Sequence, residues 1–250
     1  MSNTMSTPNI TQAMILAAGK GTRLRPLTLE TPKPLVEVGG QPLIVWHIKA
    51  LQAAGITDIT INVSWLADKL MDTLGDGSKY GVKLHWSVED DEPLETAGGI
   101  FQALQSDKLR DEPFILVNSD VWTTYDLAQL RDYELGADQR AHLLLIDNPE
   151  HNDGGDFAIN NGLASEQPVG DADKHTFAGI SVMSPKLVEG LVSGQPAALA
   201  PLLKQAMLKF QVTAEVITDN WIDVGTLERL AQVNEFIEQN SIDNHQGRPR

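Results

Sequence analysis

Residues 16–35, LAAGKGTRLRPLTLETPKPL, restrict what this chain can fold into more than any other stretch. The apolar run Ala13, Met14, Ile15, Leu16 passes at once into small residues, then Gly19 and Gly21, then Arg23, Pro26 and Pro32-Lys33-Pro34. That order describes a buried strand emptying into a loop with much accessible main chain. Glycine tolerates positive φ and lets a ligand come close to the backbone, so Gly19 and Gly21 can aim consecutive N–H groups at phosphate oxygens. Arg23 and Lys33 add full positive charge on the same side. Two phosphate-binding loops are excluded by spacing. A Walker loop needs Ser or Thr after the Lys, and Lys20 is followed by Gly21; a dinucleotide fingerprint needs a third glycine where Leu24 stands. On the glycines alone an ordinary tight turn is an equal reading. Thr22, Arg23, Pro26 and Lys33 are what that reading leaves unexplained.

The rest of the composition narrows the partner. At 250 residues and 42% hydrophobic, the chain can bury the core of one large α/β domain and does not require two. A net charge of −15 argues against nucleic acid and anionic membrane as partners, because both demand a basic footprint, and leaves a small-molecule ligand as the expectation. The absence of cysteine rules out a disulfide framework and a thiolate metal site, and suits a reducing cytoplasm. The start, MSNTMSTPNITQ, carries no apolar segment of a secretory signal, so a cytoplasmic location is expected. No stretch approaches the roughly 20 apolar residues of a membrane span. Residues 1–11 are expected to be a flexible arm, 12–240 the domain, and 241–250 a flexible tail.

Along the chain the first strand starts at Gln12. Pro42 opens a helix over 43–54, with Ile44, Ile48 and Leu51 on one stripe and Gly55 as its stop. His47 within it reads as a packing or surface residue. Residues 58–64, DITINVS, are β-branched and predict a strand, followed by a helix over 66–74, a turn at Gly75-Asp76-Gly77 and a strand over 82–88. Alternation of strand and helix implies a parallel sheet covered on both faces, with ligands collecting beyond the carboxyl ends of its strands, where the glycine loop lies. The acidic run at 89–92 reads as a solvated loop.

Residues 113–120, PFILVNSD, form an apolar strand ending in Asp120, which on local grounds is equally a helix cap or a hard oxygen ligand for Mg²⁺. A helix over 125–135 and a strand over 141–147 follow. Short strands at 157–160, 163–166 and 176–183 make a small insertion spanning about 148–183. Helices over 185–192 and 199–210 and a strand over 212–217 come next. Asp223, or alternatively Thr226 itself, then caps a helix over 226–240, and a metal site at Asp223 is an equal reading on local grounds.

Leu16-Ala17-Ala18-Gly19-x-Gly21-Thr22-Arg23-Leu24-x-Pro26-Leu27-Thr28, followed by Pro32-Lys33-Pro34-Leu35, resembles without a gap the signature of the sugar-1-phosphate nucleotidylyltransferases. The resemblance implies a nucleotide-diphospho-sugar transferase fold: one α/β domain, a mostly parallel Rossmann-like sheet with helices on both faces, and a small sugar-binding insertion. It implies that Leu16, Ala17, Ala18, Gly19, Lys20, Gly21, Thr22 and Arg23 wrap the triphosphate of a nucleotide. Arg23 would grip its phosphates and Lys33 would face those at the reacting centre, so these two are the expected catalytic cations.

Leu94-Glu95-Thr96-Ala97-Gly98-Gly99 stands where relatives carry a Pro-Leu-Gly-Thr-Ala-Gly type segment. By resemblance Thr96 and Gly98 touch the base and Glu95 lies near base or sugar. With Glu95 in place of Gly, the segment is similar to the branch of the family acting on N-acetylmuramate 1-phosphate with UTP. Asn118-Ser119-Asp120 and Trp221-x-Asp223-Val224-Gly225-Thr226 match the family's two metal segments, which makes Asp120 and Asp223 the expected Mg²⁺ ligands. In the insertion Gly155, Asp156 and Gly179 match positions that contact the sugar. Glu166-Gln167-Pro168 matches a Glu-Lys-Pro segment loosely, with Gln167 for Lys, and Glu166 stays outside the expected site.

The implied reaction is transfer of a uridylyl group from UTP to a sugar 1-phosphate, releasing pyrophosphate, in the recycling of cell-wall sugars. Glucose- or mannose-1-phosphate transfer with UTP, dTTP or GTP is the alternative. A catalytically silent nucleotide-sugar sensor is a rival of another class, against which the joint presence of Arg23, Lys33, Asp120 and Asp223 argues. No six-residue repeat follows residue 240, so a stand-alone catalytic domain is expected.

Overall fold

The computed structural model describes residues 10–90, 92–170 and 172–246, with the side chains of 241–246 excepted. Residues 1–9 of the expected arm and 247–250 of the expected tail lie outside the described residues. Ile10 belongs to the core rather than to an arm, and its N–H donates to the Arg131 carbonyl.

The elements are β1 (Gln12–Leu16), β2 (Glu37–Val38), β3 (Gln41–Pro42), α1 (Leu43–Ala53), β4 (Asp58–Val63), α2 (Ala67–Leu74), β5 (Lys83–Val88) and α3 (Glu95–Gln105). They continue with β6 (Phe114–Asn118), β7 (Val121–Thr123), α4 (Ala128–Arg131), β8 (Ala141–Ile146), β9 (Phe157–Asn160), β10 (Leu163–Ser165) and β11 (Lys174–Met183). The last are α5 (Leu199–Met207), β12 (Val212–Val216), β13 (Trp221–Asp223) and α6 (Leu227–Gln246).

A nine-stranded sheet in the order β5-β4-β1-β6-β11-β8-β12-β10-β9 forms the centre. β1, β4, β5 and β6 run parallel, and every residue of β6 up to Val117 is buried, as expected for strands covered on both faces. One layer of the core is α1 laid on the sheet, with Ile44, Ile48 and Leu51 fully buried; each such side chain contributes about 1.5–3 kcal/mol of burial. The opposite face carries α3 and α5 over Met14, Phe114, Leu116 and Leu143.

β11 crosses this pattern. It runs antiparallel between β6 and β8, and its first residues pair with β9. The expected insertion over about 148–183 is therefore continuous with the central sheet: residues 180–183 lie between β6 and β8, and the β9–β10 hairpin extends the sheet at its edge beyond β12. Two ribbons complete the fold, β2–β3 and β7–β13.

Four further expectations shift. Residues 95–105 are helical, which the paired glycines had concealed. The helix expected over 125–135 shrinks to α4, because the Arg131 carbonyl is taken by Ile10 and Tyr133 is held by its stack on the His142 ring, 4.0 Å away. Residues 185–188 form only a 3₁₀ turn. The last helix runs to Gln246 rather than stopping at Asn240, so only the end of the expected tail falls beyond it. Among the described residues no helix is long and apolar enough to cross a membrane.

Candidate active site

The carboxyl ends of the parallel strands converge. In register, Leu16 of β1 stands between Asn62 of β4 and Asn118 of β6, and β5 delivers Glu89 one residue beyond its end. From here the glycine loop departs. The Ala17 N–H donates to Asn62 Oδ1 at 3.0 Å, and the Ser119 N–H to the Leu16 carbonyl at 3.1 Å, so the start of the loop is fastened on both sides. Gly21 has φ +60°, and a Cβ there would stand 3.0 Å from Thr28 Cγ2 and 3.1 Å from Lys33 Cβ. That position needs both the left-handed backbone and the missing side chain. Thr28 Oγ1 donates to the Gly21 carbonyl at 2.7 Å and closes the turn onto the segment carrying Lys33.

The loop, Lys33, Asn62, Glu89, Glu95, Thr96, Asn118, Ser119 and Asp120 surround one cavity of about 240 Å³. Nothing lies within 4 Å of where a Gly19 Cβ would be, so the main chain there is open to a ligand. Lys20 reaches toward Glu92, 3.9 Å away. Thr22 and Arg23 form a 3₁₀ turn, and both are exposed.

The β7–β13 ribbon makes the segments of the two acids neighbours, although Asp120 lines the cavity of the loop and Asp223 lines another, of about 700 Å³, with His151 and Arg229. Asp223 pairs with Val121, and the Val224 N–H donates to the Asp120 carbonyl at 2.8 Å, which makes the two acidic segments immediate neighbours. Lys33 Nζ lies 2.8 Å from Asp120 Oδ2. Asp223 Oδ2 lies 3.2 Å from Arg229 Nη2 and 3.5 Å from His151 Nε2, while Asp223 Oδ1 is buried without a hydrogen-bond partner. Arg23 Nη2 comes within 3.2 Å of the point a Gly225 Cβ would occupy, and Asp223 Oδ1 within 2.8 Å of that point. Thus one cation of the loop sits on each acidic segment.

A second cavity, of about 740 Å³, adjoins the first at Glu95, Thr96 and Asn118 and extends to Gly155, Asp156, Glu166, Lys174, Phe177 and Lys204. Glu95 has φ +57°, an uncommon conformation for a side chain that is not glycine. The Asp156 carboxylate accepts from the Phe177 N–H at 2.8 Å, fixing β11 to the insertion. Gly179, φ +72°, occupies the irregularity in β11 between Phe177 and Ser181, and a Cβ there would stand 2.9 Å from Asn118 Nδ2. Gly98 is buried against the Gln195 carbonyl and Ala197 and does not line either cavity. Glu166 does line the larger one and pairs with Lys204 at 2.6 Å.

Sequence reasoning missed Glu89. Far from solvated, it is 5% exposed and accepts from Asn62 Nδ2 at 2.6 Å and the Leu94 N–H at 2.8 Å. It missed Asn62 as well, although a polar residue closing the apolar strand ITINV was a legible signal. Arg229 and His151 gave none, since their partner lies on another element. His47 is buried beneath β7, where loss of hydration pushes its imidazole down to about 4 despite a hydrogen bond to the Val121 main chain.

The fold is that of the nucleotide-diphospho-sugar transferases. The solved structure of the inositol-1-phosphate CTP transferase from T. maritima superposes with a TM-score of 0.74 over 92% of this chain and 96% of that one, at 20% identity. HddC from Yersinia pseudotuberculosis, solved with GMP-PN, gives 0.70 over 91% of this chain and 99% of that one, at 22% identity.

The nucleotidyl transferase family model matches residues 12–162, and the chain belongs to that family of enzymes. It is 44% identical over 223 residues to the N-acetylmuramate alpha-1-phosphate uridylyltransferase of Neisseria meningitidis serogroup B, covering 88% of this chain and 96% of that protein. It is 34% identical to the mannose-1-phosphate guanyltransferase of Candida albicans over 86% of this chain but only 61% of that longer protein.

Proposed function

We propose that the chain transfers a uridylyl group from UTP to N-acetylmuramate α-1-phosphate, giving the UDP-sugar and pyrophosphate, in the cytoplasmic recycling of peptidoglycan sugars. The observation that carries the reading is Lys33 Nζ held 2.8 Å from Asp120 Oδ2 in one cavity with residues 16–19, Glu95 and Thr96. Similarity over nearly the whole length of the Neisseria protein supports the choice of sugar and nucleotide.

In this reading an oxygen of the sugar phosphate attacks the α-phosphorus of UTP; the new P–O bond forms as the α–β anhydride bond breaks, and pyrophosphate leaves. The attacking phosphate is largely ionised at neutral pH, its second pKa being about 6, so no general base is required. What the step requires is alignment of two anions and neutralisation of their charge. The N–H groups of residues 18–22 and Arg23 hold the triphosphate, and Lys33 faces the reacting phosphates. Thr96 and Glu95 border the base and the sugar, Asp156 and Gly155 line the larger cavity for the sugar, and Gly179 packs against Asn118 at its edge.

Asp120 and Asp223 fit a hard divalent cation, Mg²⁺. They are hard oxygen donors, Asp120 on the turn just before β7 and Asp223 at the end of the paired strand β13, and Asp223 Oδ1 is a buried acceptor with no partner. Among the described residues no group of three or more His, Cys, Asp and Glu could hold an ion, so phosphate oxygens would complete the coordination. When bound, the ion would supply charge neutralisation on the phosphates.

The test is pyrophosphate release with UTP and N-acetylmuramate 1-phosphate beside GTP with mannose 1-phosphate and dTTP with glucose 1-phosphate, with and without Mg²⁺. Preference for the first pair is expected. Faster turnover with the second pair would favour a guanylyltransferase, the reading the Candida relative suggests.

A further inference from the structure

Each of the two acids assigned to the cation already carries a positive charge of the chain itself. Lys33 Nζ stands 2.8 Å from Asp120 Oδ2, and Arg229 Nη2 stands 3.2 Å from Asp223 Oδ2. Lys33 is 11% and Asp120 34% exposed, Arg229 13% and Asp223 17%, so solvent screens the second pair weakly and the first somewhat more. A dication has to displace an ammonium from Asp120 and a guanidinium from Asp223 before it can use both carboxylates.

The Arg229–Asp223 contact is also incomplete. Asp223 Oδ1, Arg229 Nε and Arg229 Nη2 are buried without a geometrically sound hydrogen bond. The guanidinium stands where a side chain at residue 225 would go, so only Gly225 admits it. Such a pair is suited to exchange its partner, because its polar groups gain hydrogen bonds when an anion arrives.

We infer that Lys33 and Arg229 are resident counter-cations that close the Asp120–Asp223 site to divalent ions until a nucleoside triphosphate binds. This rests on the reading of those acids as the cation's ligands. The triphosphate draws Lys33 and Arg23 onto its phosphates and exposes Asp120, so nucleotide and metal bind as a unit. Arg229 acts through Asp223 and is a positioning residue. Free protein then binds Mg²⁺ or Mn²⁺ weakly, and deleting either counter-cation tightens metal binding while it weakens nucleotide binding.

The experiment is titration of Mn²⁺ into the nucleotide-free protein, followed by electron paramagnetic resonance, and its repetition with UTP. Lys33→Gln and Arg229→Gln are each expected to tighten nucleotide-free Mn²⁺ binding by at least about tenfold, the effect of removing one nearby like charge. Arg229→Lys, which keeps the charge, is expected to restore weak binding. Should Arg229→Gln fail to fold, Lys33→Gln on its short turn carries the same test. Unchanged Mn²⁺ affinity in the folded glutamine variants would overturn the inference. If Asp120→Asn and Asp223→Asn leave Mn²⁺ binding with UTP intact, the metal reading itself fails; if they abolish it while the glutamine variants change nothing, only the gating is lost.

Discussion

Asn62 Nδ2 donates to Glu89 Oε1 across 2.6 Å in a buried pocket directly beneath the glycine loop. The same amide accepts the Ala17 N–H through Oδ1, and the same carboxylate accepts the Leu94 N–H through Oε2. One pair of side chains therefore fixes the start of the phosphate loop and the start of α3 relative to each other. A Cβ at Gly99 would stand 2.6 Å from Glu89 Oε1, which explains why the second turn of α3 opens on glycine despite its helical cost of about 1 kcal/mol.

Glu89→Gln replaces one of two acceptors by a donor, and one of the two bonds becomes a donor facing a donor. Stability is expected to fall by about 1–3 kcal/mol, the cost of leaving a buried group unpaired. The KM for the nucleotide is expected to rise more than the KM for the sugar phosphate. Chemical denaturation and steady-state kinetics check both parts; an unaffected nucleotide KM would show that the pair serves folding alone.

Asp120→Asn and Asp223→Asn are each expected to lower kcat by at least about 10²-fold, the loss typical of removing one preorganised charge at a reacting centre. Asp120→Asn, at a side chain 34% exposed, should move the thermal midpoint by only a few degrees, as about 1 kcal/mol does in a chain of this size, whereas Asp223→Asn leaves the Arg229 guanidinium, 13% exposed, without its counter-charge and is expected to cost about 3–5 kcal/mol. Turnover and thermal melts of each variant measure this. Full activity in either would remove that acid from the site.

Lys174 lines the larger cavity, and among the described residues its ammonium has no acid partner, whereas Lys204 is bound to Glu166. A sugar bearing a lactyl carboxylate would complete that charge. Lys174→Gln is expected to weaken N-acetylmuramate 1-phosphate about tenfold, the value of one charge-assisted hydrogen bond, and to leave N-acetylglucosamine 1-phosphate unchanged as an inhibitor. Equal weakening of both sugars would count against recognition of the carboxylate.

His47 links stability to acidity. Burial lowers its folded pKa to about 4 against an ordinary value of 6.5, so the folded state holds the neutral ring while the unfolded state protonates first. The stability it retains is complete above pH 6.5 and is lost as pH falls from 6.5 toward 4, amounting to about 2 kcal/mol between pH 7 and pH 5. In His47→Gln that part of the pH dependence should vanish, as urea melts at the two pH values will show.

The glycine loop, the buried strands β4 and β6, the helix α1 and the family itself were all legible in the sequence. Each is a local matter: runs of apolar residues fix strands, glycine and proline spacing fixes the loop, and the motif is contiguous. Only the tertiary structure showed that Glu89 is buried rather than solvated, that Gly98 packs against Gln195 and Ala197, and that Arg229 meets Asp223. Those relationships join elements far apart in the chain, where side chains meet because the sheet order and the β7–β13 ribbon bring them together. Burial and electrostatic pairing depend on that neighbourhood, and no run of adjacent residues encodes it by itself.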